Sequence, residues 1–143
     1  MIETHFHLHP AVVHFPIALF ISALILEAAS LLFKRENLHR TALHIYIFAS
    51  LIAPFVVWTG LEEAEEWHLV KHAVFNLHRT FALATMWFGL VTLPVLWIIK
   101  KRIPHFFRYA FLIFLILIAS LVSMAAYNGG RLVYEYGIGI EKE

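Results

Sequence analysis

The run AVVHFPIALFISALILEAASLLF, residues 11–33, decides the fold. A helix rises about 1.5 Å per residue, so roughly 20 apolar residues cross a hydrocarbon layer about 30 Å thick. Three more runs of this kind follow, over residues 41–59, 80–99 and 106–126. All four are continuously apolar rather than alternating, which favours helices over barrel strands, the two solutions a bilayer permits. With 143 residues, 61% of them hydrophobic, and a mean hydropathy of +0.75, the chain is too apolar for an ordinary water-soluble domain. The sequence therefore predicts an all-α integral membrane four-helix bundle. It reads as one domain with helices near 10–33, 41–60, 69–100 and 105–127 and a C-terminal lid over 128–143.

The first run is read as a span rather than a secretory signal, because no Lys or Arg precedes Lys34 and the apolar stretch is long for an h-region. The absence of cysteine excludes disulfides, thiolate metal sites and covalent c-type haem attachment. Basic residues gather in KRENLHR (34–40) and KKRIPHFFR (100–108), the connections after the first and third spans. At the other end Lys71, Arg79, Arg131 and Lys142 are mixed with Glu3, Glu62, Glu63, Glu65, Glu66, Glu135, Glu141 and Glu143. The positive-inside rule then predicts both termini on the outer, periplasmic side of a bacterial cytoplasmic membrane. The basic residues look topogenic, and neither a nucleic-acid surface, a phosphate loop nor a nucleophile is discernible.

That topology sorts the ten histidines. His5, His7, His9, His14, His68, His72 and His78 fall at the outer end, and His39, His44 and His105 near the inner one. Interfacial histidines often answer only to local hydrogen bonding, and His5, His7, His39, His68 and His105 are read that way singly. His14, between Val13 and Phe15 in an apolar helix, is costly without a partner, and ionisable groups inside a membrane are functional candidates by default. The segment GLEEAEEWHLVKHAVFNLHRT, residues 60–80, is expected to extend the third helix above the membrane, where His68 and His72 would share a face at i, i+4. Pro16 and Pro54 each remove a helical hydrogen bond near the depth of His14 and can open space for a cofactor. Gly129 and Gly130 are expected to cap the fourth helix, so that LVYEYGIGI (132–140) folds back across the outer face.

Three stretches carry a family resemblance: HPAVVHFPIAL (9–19), WTG (58–60) with acidic residues after it, and GGRLVYEYGIGI (129–140). Together they resemble the domain-of-unknown-function 2231 family of predicted bacterial membrane proteins, over essentially the whole chain. The resemblance implies a four-helix membrane domain, sometimes joined to or encoded near redox modules such as Rieske proteins and cytochromes. On carry-over, His9 and His14 match the family's paired histidines. The third family histidine falls at His72 by the string HAVFN or at His78 by HRTFAL.

Haem b held by two histidines of neighbouring helices suits a small helical membrane protein without cysteine. In this reading His14 and either His78 or His72 are axial ligands, while His9 meets a propionate or belongs to a second site. The expected role is electron transfer at the outer face, with quinol or a soluble redox protein as partner, rather than stand-alone catalysis. A non-haem site is the alternative, with Zn or Cu held by His9, His14, His68, His72 and His78. No H-E-x-x-H motif supplies an adjacent base for it. A structural subunit without cofactor is the third reading, and self-association of the chain is compatible with all three.

Overall fold

A computed structural model describes residues 8–66, 68–69 and 72–138. Every regular element among them is helical. The order is α1 (Leu8–Val12), α2 (His14–Phe33), α3 (Glu36–Glu66), α4 (Ala73–Arg102), a 3-10 turn at Pro104–Phe106, and α5 (Phe107–Tyr134). Four stretches, Leu8–Phe33, Glu36–Glu65, Ala73–Arg102 and Pro104–Tyr134, are long and apolar enough to cross a membrane. Short connections force neighbours to run antiparallel. α2 packs on α3 and α5, and α4 packs on the same two, so α2 and α4 occupy opposite corners of a square.

The core follows from which face of each helix is small or aromatic. Phe20 and Ala23 of α2, Ala42, Tyr46 and Ala49 of α3, and Phe111, Leu115 and Ile118 of α5 are fully buried. Alanines let the backbones approach, as small residues do between helices in lipid. Tyr46 stands edge-on to Phe20 and Phe111, with ring centroids 5.8 and 5.5 Å away, and its hydroxyl meets Thr92 Oγ1. Outward positions carry Phe15, Ile25, Leu32, Phe48, Trp87 and Ile113, which are exposed on the bundle and suited to acyl chains.

Helix boundaries differ from the sequence expectation in three places, each with a physical cause. Pro16 lacks the N–H that would bond the Val12 carbonyl, and the first span breaks at Val13 into α1 and α2. The acidic stretch after Gly60 continues α3 to Glu66 instead of preceding α4, which starts at Ala73. His68 therefore lies in a turn with φ +53°, His72 is the extended N-cap of α4, and the two share no helical face. Gly129 and Gly130 lie inside α5, whose end is set by Gly137 at φ +66°. There the Gly137 N–H donates to Val133 O (3.0 Å) and the Ile138 N–H to Leu132 O (3.0 Å), a left-handed glycine cap two turns later than expected. Of the anticipated lid, Ile138 packs against the Ala64, Val74, Phe75 and Leu132 cluster; residues 139–143 lie outside the described ones.

Candidate functional site

Two histidines face one another at the end of the bundle where α1 starts and α5 ends. The rings of His9, on α1, and His78, on α4, are nearly perpendicular (78°) with centroids 6.2 Å apart. The His9 Nδ1–H donates to Val56 O of α3 at 3.0 Å, with Thr59 Oγ1 at 3.2 Å. The His78 Nδ1–H donates to Ala125 O of α5 at 2.8 Å. Val56 O also accepts from the Thr59 hydroxyl at 2.8 Å, and in each case the receiving carbonyl takes, beside the imidazole, the N–H of the residue four further on. Each of those residues is a glycine. A Cβ on Gly60 would lie 2.8 Å from His9 Cε1, and one on Gly129 would lie 3.1 Å from His78 Cε1 and Nδ1. Glycine at i+4 uncovers the carbonyl at i and lets the ring lie against the helix.

The two docks are copies of one arrangement. Both hydrogen bonds span 47 residues of sequence, and equivalent positions lie 69 apart (78 less 9, 129 less 60). The same offset carries the buried Pro16, Phe20, Ala23 and Glu27 of α2 onto the buried Thr85, Gly89, Thr92 and Leu96 of α4. It also carries Ala42, Tyr46, Ala49 and Ala53 of α3 onto Phe111, Leu115, Ile118 and Val122 of α5. The neighbour pattern of the helices is that of a two-fold about the bundle axis, a parallel repeat of two hairpins. His9 and His78 meet across that axis. The repeat is legible in the burial pattern and scarcely in residue identity, which is why the sequence alone does not announce it.

A cavity of about 70 Å³ opens beside the pair, lined by both histidines, by Arg79 and Thr85, and otherwise by aliphatic and aromatic side chains of all four spans. The backbone N–H of His9 is tied to Glu63 Oε1 at 2.7 Å, which fixes α1 to the end of α3. With both Nδ1 atoms committed as donors to carbonyls, Nε2 of each neutral ring keeps its lone pair. This is how a protein orients a metal-ligating imidazole.

The structure distributes the sequence candidates unevenly. His9 and His78 come together. His14 is exposed on the outside of α2 and is absent from the lining of the cavity. His68 is exposed in its turn. His72 sets its ring edge-on to Tyr136 with centroids 4.5 Å apart, and its Nδ1 is buried without a hydrogen-bond partner. His5 and His7 lie outside the described residues. Among the described residues no group of three or more His, Cys, Asp or Glu side chains is arranged to hold a metal ion.

Sequence reasoning missed the buried charges at the opposite end. Glu27 of α2 is fully buried and accepts a hydrogen bond from His39 Nδ1 at 2.6 Å. Arg108 of α5 approaches the same carboxylate (Nε to Oε1 3.4 Å) and also bonds Ser30 Oγ, which in turn donates to Arg35 O at 2.9 Å. Phe107 and Phe111 stand edge-on to the His39 ring. The signal was available: Glu27 interrupts the first apolar run, and a carboxylate there demands a partner. Under the 69-residue offset Glu27 corresponds to Leu96 and His39 to Arg108, so the repeat is kept at the histidine end and broken at this one.

These features define a multi-span helical membrane protein with a paired-imidazole site at one end of its bundle. The chain belongs to the family described as "Predicted membrane protein (DUF2231)", whose model matches residues 5–142. Neither the curated proteins nor the solved structures gave a match.

Proposed function

We propose that the protein is a membrane-embedded b-type haem protein serving electron transfer, with His9 and His78 as the axial ligands. The observation that carries this reading is the matched docking of the two rings. Each Nδ1–H is held by a main-chain carbonyl, at 3.0 and 2.8 Å, across a pseudo-two-fold axis. Two imidazoles are a complete protein donor set for haem iron, because the macrocycle provides the other four ligands; a structural zinc site needs four ligands from the protein. Arg79 beside the cavity suits a propionate. The donor set fits haem, whereas about 70 Å³ is less than a macrocycle fills, so binding requires the surrounding helices to part.

That volume favours a second reading, a single ion such as copper satisfied by two imidazoles. The positive-inside rule supports an orientation with the histidine end outside, facing quinol or a soluble carrier as redox partner. Optical spectra of the detergent-purified protein, oxidised and dithionite-reduced, with elemental analysis of the same sample, test the proposal. A Soret band that sharpens on reduction supports haem. A colourless protein with one copper or zinc per chain moves the second reading forward, and neither signal after expression with added haem rejects both.

A further inference from the structure

A second cavity, of about 470 Å³, opens at the other end of the bundle between α3, α4 and α5. Its lining brings together three permanent cations, Arg40, Lys100 and Arg108, with His44 beside them and Leu43 and Phe107 as apolar wall. Glu36 is the only carboxylate in that lining, and it stands 3.8 Å from Arg40 and 3.9 Å from Arg108. Both separations exceed the 2.7–2.9 Å of a charge-assisted hydrogen bond, so Glu36 leaves most of the Arg40 donors unused, while Arg108 turns Nε to Glu27 and Nη2 to Ser30 and keeps Nη1 toward Glu36. The Lys100 ammonium lies 5.7 Å from the Phe107 ring centroid and makes no ion pair among the described residues. Even with Arg108 counted against the buried Glu27, Arg40 and Lys100 outnumber Glu36.

We propose that this cavity binds a phosphate-bearing anion. Guanidinium and ammonium groups converging on one space are the donors that recognise phosphate. The wall of Leu43 and Phe107 and the position of Lys100 near the end of a membrane span favour the phosphate of an anionic phospholipid, whose chains would run along the exposed apolar faces. The site is separate from the histidine pair and does not depend on what that pair binds.

Delipidated protein in neutral detergent, melted in the presence of short-chain phosphatidylglycerol, of phosphatidylcholine with the same chains, or of inorganic phosphate, tests the inference. The comparison variant is Arg40→Gln with Lys100→Gln, which leaves the Glu27, His39 and Arg108 contacts in place and is expected to fold. Phosphatidylglycerol should raise the melting temperature and phosphatidylcholine should not. In the double variant the half-saturating concentration of phosphatidylglycerol should rise by roughly tenfold or more, the scale expected for two lost basic contacts. An equal rise with inorganic phosphate at millimolar concentration assigns the site to a soluble anion. Equal responses to the two lipids, or an unchanged response in the double variant, overturn the proposal.

Discussion

Gly60 gives the His9 imidazole its place: a Cβ at Gly60 would lie 2.8 Å from Cε1 of that ring. Gly60→Ala should therefore displace His9 from the Val56 carbonyl, and Gly129→Ala, whose Cβ would stand 3.1 Å from the His78 ring, should shift that ring by a few tenths of an ångström. Gly130, with nothing within 4 Å of an added Cβ, is the internal control. Alanine there should stabilise α5 by about 0.5–1 kcal/mol through helix propensity alone. Thermal melts with cofactor or metal content on the same samples separate the two effects. Gly60→Ala should lose binding, Gly129→Ala should weaken it, and Gly130→Ala should keep it.

The buried carboxylate at the other end gives a stability prediction. Glu27→Ala leaves His39 and Arg108 facing a site from which their acceptor has gone. Breaking one partner of a buried ionic group costs about 3–5 kcal/mol, whereas replacing all partners with apolar residues can be near neutral. Unfolding of the variant in detergent should show a loss of that order. A loss below about 1 kcal/mol, the scale of an exposed ion pair, would mean that the network contributes little.

Gly137→Ala tests the end of α5. A φ of +66° costs an alanine about 1–2 kcal/mol, and the loss should be local, releasing Ile138 from the Ala64, Val74, Phe75 and Leu132 cluster. Hydrogen exchange should report faster opening at the end of α5 and the start of α4, with the centre of the bundle unchanged.

Tyr46→Phe removes one hydrogen bond in the middle of the bundle while keeping the edge-on contacts to Phe20 and Phe111. Thr92 keeps its bonds to Phe88 O (2.7 Å) and Gly89 O (3.0 Å), so no hydroxyl is stranded. The expected cost is about 1 kcal/mol in a melt, and Thr92→Val, which takes that partner away from the buried Tyr46 hydroxyl, should cost more, about 1–3 kcal/mol.

The spans were legible because hydrocarbon thickness and hydropathy constrain them strongly, and four runs became four membrane-length helices. Helix ends were less so. Residues that favour helices continue through the break before Ala73, where, among the described residues, the turn at His68 and the extended His72 separate α3 from α4. Within the histidine cluster, depth and apolar neighbours singled out His14, because sequence reports how far along a helix a residue lies better than which side it faces. His9 meets His78 because α1 breaks from α2 at Val13 and docks on α3, a tertiary outcome. The GGRLVY string stood out as a terminal motif; its first glycine serves the His78 ring rather than a helix cap.

The paired-imidazole site is tested most directly by the haem-to-protein and metal-to-protein ratios of His9→Ala, His78→Ala and His14→Ala proteins purified beside the parent. The account predicts that the first two lose the bound group while inserting and folding normally, and that His14→Ala retains it. Loss with His14→Ala, and retention with His78→Ala, would contradict it.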